Sequence, residues 1–317
     1  MLKFYWWIQM NLTKFLTAYV EILVTILVVL LLFAFKDEVS KKVVKFVHDV
    51  MRDDIIIPDN TSNKRTYEYK TVKETDNFSP NNINEIKDIY YTVLNNGWNN
   101  FTFYCPFEYE NCVNDTLSIA NKSDYIELLN FYVSPFNNYT TYNTTVASNG
   151  EIYFKIIKIY TDEEIEFLNK YIDNVLEELQ INTEKPTKED LKKIHDYIIK
   201  NVTYDDEYNK EDPISDSNNA YGAVKERKAI CSGYTDLYAL FLDRLNIKNI
   251  KLPSEEHIWN YVYFEDKWYH IDLTWDDDEI NKNNTHNYFM ITTKELKALD
   301  NEKHNVKEGL YLELETE

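Results

Sequence analysis

Residues 220–276 read AYGAVKERKAICSGYTDLYALFLDRLNIKNIKLPSEEHIWNYVYFEDKWYHIDLTWD and contain the patterns that decide the fold. A helical pattern begins at Cys231 and runs to Leu245, with apolar residues at helical spacing on one face. Two alternating segments follow, at 257–264 and 267–275, and predict an antiparallel β-hairpin. Helices and strands occur along the chain without strict alternation, which indicates the α+β class.

Cys231 is the candidate nucleophile. It begins the predicted helix, where the positive end of the helix dipole favours a negative charge such as a thiolate. Gly222 and Gly233 are two of only five glycines in the chain. They indicate tight backbone geometry or the close approach of a ligand near Cys231. A buried structural cysteine is the alternative interpretation.

The predicted hairpin brings a histidine and a carboxylate together under one condition. If its turn has an even number of residues, such as Glu265-Asp266, then His257 and Asp272 are diagonal neighbours on one face. An odd turn places them on opposite faces. With the even turn, Cys231, His257 and Asp272 supply a nucleophile, a general base and acid, and a carboxylate that orients the imidazole.

Other polar residues allow competing assignments. His270 also faces the side of Asp272, but side chains two apart on one strand point in parallel, which is poor geometry for a His–Asp hydrogen bond. A metal site from His257, His270 and Asp272 lacks the usual ligand spacings. The acidic run 276–278 has no EF-hand pattern and is interpreted as a solvated turn, and His195 as a structural residue. The sequence predicts no metal and no cofactor.

The N-terminal region predicts a membrane anchor. Residues 15–35 form an apolar run with one charged residue, Glu21, long enough as a helix to span a bilayer. A cleaved signal peptide is the alternative, but no small-residue cleavage site follows Phe35. The lysines after the run favour a cytoplasmic C-terminal side, whereas an N-terminal anchor usually places the soluble domain outside. We predict a single-pass protein of the cell membrane with an extracytoplasmic domain and lipid contacts through residues 15–35.

The chain divides into predicted regions: an anchor at 1–36, a juxtamembrane spacer at 37–82, an α/β region at 83–182 and the catalytic domain at 183–317. Within the third region, Tyr139–Val146 and Glu151–Tyr160 predict a hairpin, and residues 161–164 predict a helix start with a capping box. Cys105 and Cys112 form a disulfide if the domain is outside, or are buried thiols if it is inside.

Composition excludes several classes of protein. The 34 basic and 54 acidic side chains leave a net charge of −20, which makes the chain a poor binder of nucleic acid. Five glycines exclude Gly-rich phosphate-binding loops, and three cysteines are too few for a disulfide scaffold or a four-cysteine zinc site.

The motifs resemble the transglutaminase-like superfamily, in its bacterial form, over roughly residues 187–300. The matching segments are AICSGY at 229–234, HIWN at 257–260 and WYHIDLTW at 268–275, with IHDYI at 194–198, NVTYD at 201–205, YFM at 288–290 and residues 292–296 in support. The resemblance implies a papain-like α+β fold with Cys231, His257 and Asp272 as a catalytic triad. It implies chemistry at amide bonds through an acyl-thioester. For a domain outside the cell, cell-wall or surface proteins and peptides are the expected substrates.

Several points stay open at this level. The family pattern has a glycine in the hairpin turn, where this sequence has Glu265-Asp266-Lys267. It also commonly has small residues directly before the histidine, where this sequence has Glu255-Glu256. The Cys231 backbone N–H is the natural first oxyanion donor, and Tyr221 is a weak candidate for the second. Peptidase and transglutaminase activity are both compatible with the motifs, and a catalytically silent binding or scaffold module at the cell envelope is the alternative function.

Overall fold

The structure, a computed structural model, describes residues 17, 19–31, 35–50, 52–209, 216–277, 286–299, 302–306 and 309–316. Contacts group the chain into two compact units, residues 1–54 and residues 55–317. The second unit contains the candidate catalytic residues.

The first unit contains helix α1, Tyr19–Leu31, and helix α2, Lys36–Val50. Among the described residues, no single helix is both long and apolar enough to cross a membrane. Together, Tyr19–Leu31 and Lys36–Phe46 reach the required length and composition as a pair bent by 62°. Residues 15–16, 18 and 32–34 of the predicted anchor lie outside the described residues, so the anchor stays a prediction.

The second unit contains the remaining elements, in chain order: α3 (Ile83–Asn95), β1 (Asn100–Tyr104), α4 (Cys112–Ala120), α5 (Ser123–Tyr132), a 3₁₀ turn (Pro135–Asn137), β2 (Tyr139–Val146), β3 (Glu151–Lys158), α6 (Asp162–Glu178), α7 (Lys188–Asn201), β4 (Thr203–Tyr204), α8 (Ala220–Lys225), β5 (Lys228–Ala229), α9 (Cys231–Arg244), β6 (Asn249–Pro253), β7 (Ile258–Phe264), β8 (Lys267–Ile271), α10 (Leu273–Asp276), β9 (Phe289–Ile291), α11 (Thr293–Leu299) and a 3₁₀ turn (Leu312–Thr316). The predicted mixture of helices and strands is therefore observed.

The described strands form three sheets. An antiparallel sheet has the order β1-β3-β2, a short parallel pair joins β4 to β5, and a second antiparallel sheet has the order β6-β7-β8-β9. The predicted hairpin of β2 and β3 is confirmed, and Gly150 in its turn has a φ of +81°. A left-handed backbone of this kind favours glycine because it has no Cβ.

Two hydrophobic cores lie on either side of the β6-β7-β8-β9 sheet. Trp259 and Tyr261 belong to the core formed with α3–α5 and β1–β3. This is the first core. Val262 and Ile271 belong to the second core, formed with α6–α9. Because α6 packs with the helices that follow it, the predicted boundary at residue 182 does not separate two cores.

Capping boxes start two of the helices in the second core, and the sequence predicts the first of them. Thr161 and Glu164 form a capping box at α6, and Thr187 and Asp190 form another at α7. In each, the threonine hydroxyl accepts from the N3 backbone N–H, while the N3 carboxylate accepts from the backbone N–H of the threonine. The capping box at Thr187 sets the start of α7, the helix that contains His195.

The predicted spacer differs from the structure. Its first part forms helix α2, and residues 64–82, which belong to the second unit, are irregular in backbone but packed within that unit. Arg65 is 3% exposed and donates to Asp243 and Asn249, while Val72 and Phe78 enter the first core. The absence of periodicity correctly predicted irregular backbone, but it does not distinguish a free linker from a packed one.

Cys105 and Cys112 form a disulfide, which decides between the two alternatives left by the sequence. Both residues are buried, and their Cα atoms are 5.6 Å apart. The bond joins the end of β1 to the start of α4. Cys231 is the free cysteine of the chain.

Candidate active site

Helix α9 begins at Cys231, as the sequence predicts. Ile230 precedes it in extended conformation, and the apolar stripe that includes Tyr234, Leu237 and Phe241 is fully buried. Cys231 itself is partly exposed. A thiolate at this position meets the positive end of the helix dipole and backbone N–H groups that have no partner within the helix.

The two glycines near Cys231 are required by backbone packing. A Cβ on Gly233 would lie 2.6 Å from the carbonyl oxygen of Ser217, and one on Gly222 would lie 2.1 Å from that of Asp216. Of the two explanations offered by the sequence, the structure therefore supports tight backbone geometry.

The β7–β8 hairpin meets the even-turn condition. Phe264 pairs with Lys267, so the turn consists of Glu265 and Asp266. Both turn residues have a left-handed backbone, with φ of 49° and 63°. This geometry fits the twist of a two-residue hairpin, although it normally selects Asn or Gly. The register ends with Asn260 opposite Ile271, so the continuation past the strand ends brings His257 towards Asp272.

One element of the predicted hairpin is wrong. Strand β8 ends at Ile271, and the residues predicted to continue it form the short helix α10. Asp272 is the N-cap of this helix, and its Oδ1 accepts from the backbone N–H groups of Thr274 and Trp275. A helix starts here because the Asp272 carboxylate accepts hydrogen bonds from the first backbone N–H groups of the helix. In a strand these N–H groups would need partners on a neighbouring strand.

The second oxygen of Asp272 binds His257. His257 Nε2 donates to Asp272 Oδ2 at 2.6 Å, and both side chains are nearly inaccessible, at 8% and 2% exposed. Burial alone would raise the pKa of Asp272, but the charge and hydrogen bond of His257 hold it well below the usual range. Asp272 is therefore an ionised, fixed acceptor.

His257 joins Asp272 to Cys231. Because Nε2 is bound to Asp272, Nδ1 is left for the hydrogen bond with Cys231. Burial lowers the pKa of His257, but the Asp272 charge and hydrogen bond, with the Cys231 contact, outweigh burial and raise it to about 10. Trp259 stacks on the imidazole, with ring centroids 5.7 Å apart. The raised pKa keeps the His257 imidazole protonated beside the sulfur of Cys231, the partner that a cysteine nucleophile requires.

His304 is a neighbour of Asp272 that the sequence analysis missed. Its Nε2 donates to Asp272 Oδ2 at 2.8 Å, and its side chain is fully buried. Its ring stacks on Tyr288 at 5.3 Å and meets the edges of Trp259 and Trp275 at 4.7 Å. His304 lies 32 residues after Asp272, and no motif or spacing connects the two in the sequence.

His270, the competing base, is engaged elsewhere. Trp259 Nε1 donates to its Nδ1 at 3.0 Å, and its Nε2 bonds Thr293 at 2.9 Å. Burial, with a smaller effect of the His304 charge, lowers the pKa of His270 to about 3, so the ring is neutral. The side chains close enough to Asp272 to share a metal ion with it are His257 and His304. The metal site considered from the sequence, with His257, His270 and Asp272 as ligands, is therefore not formed.

The tyrosines near the site differ from the prediction. Tyr221 packs against Phe167 and lies under Lys225, and no contact links it to Cys231 in the described residues. Tyr204 is half-buried, and after burial the charge of Cys231 is the largest cause that raises the pKa of its hydroxyl. Strand pairing of Tyr204 with Ala229, two residues before Cys231, brings Tyr204 close to the start of α9. Tyr204 lies in the NVTYD segment that carried the family resemblance.

The comparisons with known proteins agree with the resemblance found in the sequence. The model of the transglutaminase-like superfamily matches residues 174–273, a range that includes Cys231, His257 and Asp272 but not His304. The resemblance is thereby confirmed for this part of the chain. No curated protein matches the chain at a significant level.

Two solved structures are similar to parts of the chain. One is described as a TGase, with 16% identity and a TM-score of 0.33 over 46% of this chain and 46% of that chain. The other is a proposed cysteine protease from Cytophaga hutchinsonii, with 14% identity and a TM-score of 0.26 over 42% of this chain and 61% of that chain. The chain thus spans less than two thirds of the length of either solved protein.

Proposed function

We propose that this protein is a cysteine enzyme that cleaves or transfers acyl groups at amide bonds. The observation that carries the proposal is the continuous contact from Asp272 through His257 to Cys231 at the start of α9. In this chemistry the Cys231 thiolate attacks an amide carbonyl carbon, and the His257 imidazolium gives its proton to the leaving amine. The acyl-thioester on Cys231 is then released to water or to a second amine.

The groups around Cys231 fit the charges that develop in this reaction. The backbone N–H of Cys231, at the first position of α9, is the proposed donor to the oxyanion of the tetrahedral intermediate. Asp272 stays ionised and stabilises the His257 imidazolium before it protonates the leaving amine, and again after it takes a proton from the incoming water or amine. Transfer and hydrolysis differ only in whether an amine or water reaches the thioester.

A groove of about 940 Å³ beside His257 suggests the charge of the substrate. Its lining includes five carboxylates, Glu255 and Glu256 directly before His257 together with Asp124, Glu127 and Glu302, and one lysine, Lys303, which pairs with Glu256 at 2.7 Å. The excess of carboxylates disfavours acidic peptides in this groove. We therefore propose protein or peptide substrates with basic residues next to the reacting amide.

Alkylation of Cys231 tests the proposal without a known substrate. Iodoacetamide should label the full-length protein rapidly at pH 6, and His257→Ala should slow labelling at least about tenfold, because an unassisted thiol with a pKa near ~8.5 is mostly protonated there. Mass spectrometry would locate the label. A peptide that contains both glutamine and lysine should then form an acyl-thioester on Cys231. Hydroxylamine should cleave this adduct.

Equal labelling rates in both proteins, at a value typical of a free thiol, would contradict the enzyme and favour the silent binding module. His48→Ala provides a matched control for loss of a histidine outside the second unit. Its labelling rate should equal that of the unaltered protein.

We also propose that residues 15–35 anchor the protein in the cell membrane, with the second unit outside. The apolar helix α1 and the disulfide between Cys105 and Cys112 support this, because disulfides persist in oxidising compartments. Membranes washed with alkaline carbonate should retain the protein. Added protease should digest the second unit in intact cells, and protection of that unit would place it inside.

His304 should act as a positioning residue. His304→Ala should lower kcat by about 10²-fold, because a small displacement of Asp272 and His257 is costly at a reacting centre. His304→Gln should recover part of the loss, since its amide N–H can donate to Asp272. The pH dependence of kcat distinguishes positioning of Asp272 from a role in packing alone. If His304 only filled space, its loss would lower activity equally at every pH, and His304→Gln would not recover activity.

A further inference from the structure

A second cluster of histidines and carboxylates lies at α7, away from Cys231. His195 Nδ1 is 3.1 Å from Asp196 Oδ1, and His286 Nε2 is 2.7 Å from the same oxygen. The three atoms lie within 4.8 Å of one another, which is close enough for one ion to contact all of them. His195 and Asp196 are on α7, and His286 precedes β9.

The two nitrogens of His195 face two carboxylates. Nδ1 meets Asp196, and Nε2 is 3.1 Å from Asp276 Oδ2. A neutral imidazole has one N–H, so one nitrogen donates while the lone pair of the other points at a carboxylate oxygen. The lone pair and the carboxylate oxygen repel each other unless a cation lies between them. That cation is either a second proton on the ring or a metal ion.

Asp276 selects which nitrogen of His195 has the lone pair. Asp276 is completely buried, and its Oδ1 accepts from the backbone N–H of Tyr288 at 3.0 Å. Its Oδ2 is therefore positioned to accept His195 Nε2–H, which leaves the Nδ1 lone pair directed at the cluster. A buried carboxylate behind a histidine in this way is the usual support of a metal-binding imidazole.

The cluster is accessible and has the ligand types of a transition-metal site. The side chains of Asp196 and His286 are 37% and 32% exposed, so an ion can enter from solvent. Two imidazoles and one carboxylate suit Zn²⁺ and related divalent ions, with a fourth position left for water. We propose that His195, Asp196 and His286 bind a divalent transition-metal ion of the Zn²⁺ class, and that Asp276 orients His195 for it.

The metal would also fix the helix that carries the candidate catalytic carboxylate. Helix α10 has Asp272 as its N-cap and Asp276 as its last residue. The burial of Asp276 corrects the interpretation of residues 276–278 as a solvated turn, and Asp278 lies outside the described residues. In this proposal His195 is a ligand, where the sequence indicated a structural residue.

Zinc titration of the full-length protein tests the proposal. The protein would be purified in mild detergent, treated with a chelator and titrated with Zn²⁺ in a calorimeter at pH 7.5, and Co²⁺ absorption would report the coordination. We expect one equivalent to bind. His286→Ala and Asp196→Asn should weaken binding by more than about 100-fold, and Asp276→Asn by about 10- to 100-fold.

The matched control is Asp59→Asn, an exposed carboxylate outside the cluster, which should bind as the unaltered protein does. The titration is repeated in Cys231→Ala and in His304→Ala, because the catalytic residues offer competing ligands. Binding that survives in His286→Ala but is lost in either of these would place the ion at the catalytic residues and overturn the proposal. Absence of Zn²⁺ binding would overturn the proposal and show that a proton, not a metal ion, lies between His195 and the carboxylate. Neither result depends on whether the protein is an enzyme.

Discussion

Asp272→Asn should lower kcat for acyl transfer or hydrolysis by about 10⁴-fold, the size of effect known for the orienting carboxylate of a catalytic triad. The substitution keeps the shape of the side chain but removes the charge that faces the His257 imidazolium. It also changes the acceptor that His257 Nε2 and His304 Nε2 share at 2.6 and 2.8 Å. No other position described near Cys231 combines full burial with two histidine partners on one oxygen.

The pH profile should change together with the rate. The pKa of His257 is raised to about 10 despite burial, chiefly by Asp272, so the imidazolium that protonates the leaving amine persists up to about pH 10. Activity of the unaltered enzyme should therefore fall as pH rises through about 10. In Asp272→Asn the raising charge is gone, and this fall should move down towards the ordinary histidine value of about 6.5.

The measurement is kcat across pH 5–11 for the peptide substrate, with circular dichroism to verify folding. Asp59→Asn, an exposed aspartate, controls for the loss of one negative charge in a chain of net charge −20. Retention of kcat within tenfold, with an unmoved alkaline limb, would show that Asp272 does not orient the base.

Arg65→Ala should lower the free energy of unfolding by about 3–5 kcal/mol, the usual cost of removing one partner of a buried ion pair. Arg65 Nε donates to Asp243 Oδ1 at 2.9 Å, and its two other nitrogens donate to Asn249 at 3.0 and 2.8 Å. Without the guanidinium, the Asp243 carboxylate loses its charge partner and the Asn249 carbonyl oxygen loses a donor.

Urea denaturation of the full-length protein, followed by tryptophan fluorescence, would measure the loss. Lys64→Ala is the matched control, because its neighbouring ammonium pairs with Glu74 in a partly exposed position and should change stability by under about 1 kcal/mol. Equal midpoints for the two variants would mean that residues 64–82 are a free spacer, as the sequence first suggested.

The sequence predicted the elements that depend on local chemistry. The capping threonine at 161 begins its helix at the predicted residue, because a cap is satisfied within one turn of the chain. The pairing of His257 with Asp272 followed from strand periodicity plus an even turn, which are also local. The position of Cys231 at a helix start was equally readable.

The errors and omissions came from contacts between distant segments. The irregular backbone at 64–82 has no pattern of its own, and only packing against Asp243 and Asn249 decides that it is part of the fold. Asp272 could continue a strand or cap a helix by propensity alone. It caps α10 through Oδ1, while its Oδ2 contacts two histidines, one of them 32 residues away and beyond the reach of any local pattern.

The sequence by itself therefore determined the α+β elements, the resemblance to the transglutaminase-like superfamily and the three residues proposed for catalysis. Only the tertiary structure showed that His304 joins Asp272, and that His195, Asp196 and His286 converge on one point. The physical reason is that periodicity and capping are set by neighbours along the chain. Burial and charge pairing instead depend on which distant segments the two cores bring together.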